Sequence, residues 1–166
     1  MINISSYITE KLHLNKDIEV TDNPKDKYEL VDIIVKRIIK NGKRNVFHGD
    51  LNDIDVSAIS DFSGLVNIGH KNYDMKLERL LGHIDISKWD VSNMTTAQSM
   101  FFGCKNFNCD LSNWNIENLE NATAMFAGCE ELDFDISKWN PVKLKNSDKT
   151  WKMIVNTKLE KQDWMR

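Results

Sequence analysis

Apolar and polar residues alternate in a pattern that restarts every 25 positions along the middle of this 166-residue chain. Asp85, Asp110 and Asp135 coincide, and so do Ile86, Leu111 and Ile136, then Ser87, Ser112 and Ser137, then Trp89, Trp114 and Trp139. Met94, Leu119 and Leu144 follow, then Phe101, Phe126 and Trp151, while Gly103-Cys104 and Gly128-Cys129 close two of the copies. A degraded copy, "DLNDIDVSAISDFSGLV" from Asp50, overlays the stretch from Asp85 at an offset of 35. The ten additional residues fall within 67–83 and read as an insertion.

Each copy has two halves. Residues 84 and 86, with Cys109 and Leu111, then Phe134 and Ile136, alternate with polar positions, and a period of two predicts a short strand with one buried face. Further on, apolar residues recur at 0, +3, +6 and +7 (Met94, Ala97, Met100, Phe101), which predicts about two turns of helix ended by glycine. A strand and a short helix per copy define an α/β repeat solenoid, leucine-rich-repeat-like, of about four coils. No single copy can bury its own apolar side, so neighbours must stack and the ends need caps.

The expected N-terminal cap is "DNPKDKYELVDIIVKRIIKNG". There Asn23 would cap, Pro24 would open the helix, Asn41-Gly42 would close it, and Leu30, Val31, Ile34 and Ile38 would form the buried stripe. The expected C-terminal cap is a helix over 146–162 with Trp151, Ile154 and Val155 turned inward. Residues 1–20 read as extended. The implied divisions are 1–49 for the extended segment and capping helix, 50–140 for the coils with the 67–83 insertion, and 141–166 for the last partial coil and cap.

Composition is that of an ordinary globular chain, 41% hydrophobic and 28% charged. The net charge of −3 is unevenly placed: residues 50–140 carry 6 Lys+Arg against 15 Asp+Glu, between mildly basic ends. Without a basic start and apolar run at the N-terminus, or an apolar stretch long enough to span a bilayer, a cytoplasmic chain is expected. Three cysteines in that setting are expected to be reduced.

The copies resemble the BspA-like leucine-rich repeats, a roughly 26-residue repeat of bacterial surface proteins. The matching residues are Phe107-Asn108, Asp110 to Trp114, Asp85 to Asn93, Met100-Phe101 with Gly103-Cys104, and Met125-Phe126 with Gly128-Cys129. The resemblance covers about residues 50–151 and implies a repeat protein that binds other macromolecules without catalysis. Members of this short kind, which lack a leader, a lipid-attachment cysteine and a wall anchor, look like products of phages or other mobile elements. That would put the chain in the cytoplasm of a bacterial or phage-infected cell.

The candidate chemistry is sparse. No G-x-S-x-G, H-E-x-x-H, P-loop or G-x-G-x-x-G pattern occurs, so no enzyme and no cofactor is expected. Cys104, Cys109 and Cys129 lack a C-x₂-C pair and the histidines are scattered, which speaks against zinc and for small buried hydrophobes. The structural core should contain Ile86, Trp89, Phe101, Leu111, Trp114, Phe126, Ile136 and Trp139, the indoles stacked as a ladder or, alternatively, exposed as an aromatic stripe. The aspartate column would repel itself unless backbone N–H groups, a cation or a basic partner offset it.

The expected partner-binding residues are Asp85, Ser87, Lys88, Asp110, Ser112, Asn113, Asp135, Ser137 and Lys138 on the strand face, with Lys71, Tyr73, Lys76 and Arg79 in the insertion. The basic group Lys36, Arg37, Lys40, Lys43 and Arg44 reads as a solvated face or a nucleic-acid contact, although the acidic middle would repel phosphates. The leading expectation is a non-catalytic protein–protein interaction module for a basic or nucleic-acid-binding protein, with no direct nucleic-acid or membrane contact. The alternative is a mobile-element inhibitor, anti-CRISPR-like, in which an acidic ridge imitates nucleic acid on a host defence enzyme.

Overall fold

A polar residue followed by an apolar pair spaced three apart is the unit from which the chain is built. The backbone N–H of Ile54 meets the carbonyl of Leu51, Trp89 that of Ile86, Trp114 that of Leu111 and Trp139 that of Ile136, all at 3.0–3.2 Å. A second set follows at once: Ile59 on Val56, Met94 on Val91, Leu119 on Ile116 and Leu144 on Pro141. These are i→i+3 turns, and their first and last residues are buried while the two between face water. The structure, a computed structural model, describes residues 23–40, 48–67, 83–144 and 151–160.

Among these residues regular structure is scarce. One helix, α1, spans Lys27–Lys40. Two three-residue strands, β1 (His48–Asp50) and β2 (His83–Asp85), pair in parallel with Asp50 opposite Asp85. Two 3₁₀ segments cover Leu65–Asn67 and Trp151–Ile154. This overturns the expected α/β solenoid of strand-plus-helix coils, because neither half of the 25-residue unit forms the predicted element beyond the first strand pair.

The physical reasons are local. Pairing stops after Asp85 because the next donor, the Ile86 N–H, meets the Cys109 thiol at 3.4 Å and no carbonyl. Residues 109–111 and 134–136 run as irregular backbone. The second half cannot be helical because its N–H groups are donated sideways. Ala97, Ser99, Phe101 and Gly103 donate to the carbonyls of Asn121, Thr123, Met125 and Ala127 at 2.8–2.9 Å. Phe62, Gly64 and Val66 donate likewise to Thr96, Gln98 and Met100, and Phe126 and Gly128 to Met153 and Val155.

Positive φ accompanies the sideways bonding. Gly64 (62°), Ser99 (54°) and Ala124 (56°) share one place, and Gly103 (76°), Gly128 (81°) and Asn156 (58°) share another. A helical spacing of 0, +3, +6, +7 and a succession of three-residue turns put apolar residues at the same positions, and the left-handed residues select the turns.

The terminal regions also differ from expectation. Asp26, and not Asn23, caps α1: its Oδ1 accepts the N–H groups of Tyr28 and Glu29 at 2.8 and 2.9 Å, while Glu29 reaches back to the Lys25 N–H. Pro24 precedes the first helical residue by three positions. Leu30, Val31, Ile33, Ile34 and Val35 are buried. The helix is fixed to the first turns by Lys27, which reaches Asp61 and Ser63 at 2.7 Å each, and by the forked pair of Arg37 with Asp53.

At the other end, the four-residue 3₁₀ segment stands where a helix was expected, since Met153 and Val155 have their carbonyls in the lateral ladder. The lateral bond spans 24 residues from Phe101 to Met125 but 27 from Phe126 to Met153. Ile154 rather than Trp151 thus follows Phe101 and Phe126, and Val155 is 37% exposed instead of facing inward. Residues 1–20, Asn41-Gly42 and nearly all of the 67–83 insertion lie outside the described residues.

One continuous core joins α1 to the last turns, from Leu30 to Leu159. Trp89, Trp114 and Trp139 are 3–4% exposed but do not stack on one another. Each indole N–H crosses to the carbonyl of the preceding copy: Trp89 to Leu51 (2.8 Å), Trp114 to Ile86 (3.1 Å) and Trp139 to Leu111 (3.1 Å). The rings lean on phenylalanines, Trp89 on Phe62 and Trp139 on Phe126 and Phe134, while Phe101 and Phe126 stack at 5.7 Å.

The left-handed positions give a direct test. Ala124→Gly removes a Cβ from a φ of 56° and is expected to leave stability unchanged or raise it by up to about 1 kcal/mol, because relief of strain opposes added chain entropy. Gly128→Ala puts a Cβ 3.4 Å from the Gly103 Cα at a φ of 81° and is expected to cost about 1–3 kcal/mol. Urea unfolding of both variants checks the pair; a Gly128→Ala protein as stable as its parent contradicts the backbone described.

Candidate interaction face

The aspartate column is held by its own backbone. The Oδ1 of Asp50 accepts the Asn52 N–H at 2.8 Å, Asp85 that of Ser87 at 3.0 Å, Asp110 that of Ser112 at 2.9 Å and Asp135 that of Ser137 at 2.8 Å. These are Asx turns, in which a short acceptor side chain satisfies the donor two residues on. Five residues later the device repeats with Asp55 and Ser57, Asp90 and Ser92, and Asn115 and Glu117. That second column was not singled out from the sequence, although the D-x-S spacing of Asp85-x-Ser87 recurs at Asp90-x-Ser92.

The consequence is a set of exposed carboxylates held at fixed positions. Asp85, Lys88, Asp110, Asn113, Asp135, Ser137 and Lys138 are exposed, and Ser87 and Ser112 are half-buried. Each Asp-x-Ser turn is bound through Trp Nε1 to the copy before it, so the three groups belong to neighbouring turns of one surface. The predicted core residues Ile86, Trp89, Phe101, Leu111, Trp114, Phe126, Ile136 and Trp139 are all buried beneath it. Lys71, Tyr73, Lys76 and Arg79 lie outside the described residues.

Hydrogen bonding tunes these carboxyls. The Ser87 N–H and hydroxyl, then Asn52 and the Lys88 charge, hold Asp85 below the usual carboxylate range despite slight burial. The Ser137 hydroxyl and N–H do the same for Asp135, and those of Ser57 and Ser92 for Asp55 and Asp90, the charge of Asp55 opposing in the last case. Five acids elsewhere are paired with cations: Asp53 with Arg37, Asp61 with Lys27, Glu120 with Lys143, Glu130 with Lys105 and Glu131 with Lys158. Exposed pairs of this kind stabilise by only about 0.2–1 kcal/mol each. Asp50, Asp85, Asp110 and Asp135 form no ion pair among the described residues, and neither do Asp55 and Asp90 of the second column.

The cysteines are buried. Burial, reinforced by the charges of Asp85 and Asp110, pushes the Cys109 thiol up to about 11, and burial pushes Cys129 up to about 12. Protonated thiols are poor nucleophiles and poor metal ligands. Cys129 instead donates to the Phe101 carbonyl at 3.1 Å, and Cys109 leans on Asp85 at 3.9 Å. No group of three or more His, Cys, Asp or Glu side chains among the described residues could hold a metal ion. No described helix is long and apolar enough to cross a membrane. Within the basic group, Arg37 is forked onto Asp53, the side chain of Lys40 lies outside what is described, and so do Lys43 and Arg44.

The face of Asx turns lies over a core tied together by indole-to-carbonyl bonds. The chain belongs to the family described as "Mycoplasma protein of unknown function, DUF285", whose model matches residues 35–164. Neither the curated proteins nor the solved structures contain a match to this chain.

Acid should test the turn face. Carboxyls whose folded pKa is depressed contribute stability that is complete above the ordinary carboxylate pKa near 3.8 and is lost as pH falls through their lowered values. Urea midpoints are therefore expected to hold between pH 7 and 5 and to fall below about pH 4. Asp85→Asn keeps an Asx acceptor, as Asn115 and Asn121 do here, and should fold at pH 7 with a shallower acid loss. An acid profile unchanged by Asp85→Asn contradicts this assignment.

Proposed function

We propose that this protein is a non-catalytic protein-binding module that presents its Asx-turn face to a basic macromolecular partner in the cytoplasm. The observation that carries the reading is the row of exposed carboxylates held by backbone N–H groups and forming no ion pair among the described residues. Carboxylates fixed before binding lose little freedom on binding, which favours their use in recognition. The contact residues are Asp85, Ser87 and Lys88, then Asp110, Ser112 and Asn113, then Asp135, Ser137 and Lys138. The excess of acid over base within residues 50–140 adds long-range attraction for a cationic protein. The likeness of the sequence motif to BspA-like repeats supports binding over catalysis.

The same row of carboxylates favours a second reading, a mobile-element inhibitor that occupies the nucleic-acid channel of a host defence enzyme. Competition between this protein and nucleic acid for one captured enzyme separates that reading from simple binding. For the leading reading, the association rate with a captured partner is expected to fall about tenfold or more from low to high salt. Asp85→Lys with Asp110→Lys and Asp135→Lys should slow association further while dissociation changes less. A rate indifferent to ionic strength and to the triple reversal overturns the proposal.

A further inference from the structure

Hydrogen bonds between neighbouring copies are unevenly shared between the ladder and the aspartate face. On the ladder, the copies that begin at Asp85 and Asp110 are joined backbone to backbone: Ala97, Ser99, Phe101 and Gly103 donate forward, and Glu120 and Asn121 donate back to the Thr95 carbonyl. On the aspartate face, backbone bonds join the first two copies, through the pairing of β1 with β2 and the Leu51 N–H on the Asp85 carbonyl at 2.9 Å. Between the Asp85 and Asp110 copies, all of whose residues are described, side chains do the joining there. The Trp114 indole donates to the Ile86 carbonyl at 3.1 Å, the Ile86 N–H to the Cys109 sulfur at 3.4 Å and the Asn118 amide to the Ser92 carbonyl at 2.9 Å. Side chains also join the face of the Asp110 copy to that of the Asp135 copy, through the Trp139 indole on the Leu111 carbonyl and the Asn108 oxygen on the Asp133 N–H.

We infer that the molecule carries a hinge: the ladder is its spine, and the aspartate face opens and closes between Asp85 and Asp110 with the Trp114 indole as the latch. Parting the ladder breaks several backbone bonds together and strands their N–H groups. Parting the face breaks one indole bond, one amide bond and a bond to sulfur, a weak acceptor, and disturbs no backbone pair. Ile86, Leu111 and Trp114 are buried, so apolar packing keeps the closed state dominant and the open one a local excursion. Each Asx turn survives the opening, because Asp85 and Asp110 take their N–H from Ser87 and Ser112 of their own copies. The carboxylates therefore move apart as fixed units. In the protein-binding reading, on which this last step rests, the opening fits their spacing to the cations of a partner.

Hydrogen exchange in the full ¹⁵N-labelled chain at neutral pH tests the hinge. The Trp89 indole N–H sits where the face has backbone bonds, and it is expected to exchange about tenfold or more slowly than the Trp114 indole. Fraying from the ends gives the opposite order, with Trp114 in the middle copy the slowest of Trp89, Trp114 and Trp139. Trp114→Phe keeps a ring in the core and removes the latch. It should speed exchange at the Ile86 amide about tenfold or more while protection at Ala97, Ser99 and Phe101 stays as in the parent. The hinge is overturned if the Trp114 indole is as protected as that of Trp89, or if Trp114→Phe loosens spine and face together. Salt-dependent binding through Asp85, Asp110 and Asp135 by a chain whose indoles exchange alike removes the hinge and leaves the protein-binding reading standing.

Discussion

Sideways donation of backbone N–H groups constrains everything else in this molecule. Ala97, Ser99, Phe101 and Gly103 give their hydrogens to carbonyls 24 residues ahead. A buried N–H left without an acceptor costs about 1–3 kcal/mol, so each bond ties the length of one sequence unit to the next. The 67–83 stretch and the three residues gained before Met153 both fall between laddered segments. The left-handed residues at Gly64, Ser99 and Ala124 serve the same end, keeping the chain out of a helix that would turn those donors along its own axis.

Side chains repeat the logic of the backbone. Trp Nε1 donates to the carbonyl of the copy before, Asn93 and Asn118 donate to the Ser57 and Ser92 carbonyls at 2.9 Å, and Cys129 donates to Phe101. The 25-residue period of the sequence is therefore a hydrogen-bonding period as much as an apolar one. Above that frame the aspartates are satisfied locally, each by the donor two residues on, which leaves their charge facing water. Carbonyls and indoles thus hold one unit to the next, and the carboxylates are the groups that the proposed function would present to a partner.

Much of the core was legible in the sequence. Trp89, Trp114 and Trp139, Ile86, Leu111 and Ile136, and Phe101 and Phe126 repeat at equal spacing, and all are buried. The elements were not legible, for a specific reason. Apolar residues at Met94, Ala97, Met100 and Phe101 suit one helix face and a run of three-residue turns equally, and what distinguishes them is the sideways N–H bonding and the positive φ at Ser99, a residue with no preference for such values. Nor does the sequence reveal that Cys109 would interrupt a strand ladder at Ile86, since a buried cysteine in an alternating pattern looks like any small hydrophobe. The aspartate column was visible as a column, while its Asx turns follow from Asp-x-Ser chemistry that Asp55 and Asp90 share.

The most direct measurement of this account is the through-hydrogen-bond scalar coupling in uniformly ¹⁵N,¹³C-labelled protein. Couplings are expected from the amide nitrogens of Ala97, Ser99 and Phe101 to the carbonyl carbons of Asn121, Thr123 and Met125. Couplings from those same nitrogens to carbonyls four residues earlier in the chain would establish a helix in that segment and contradict it.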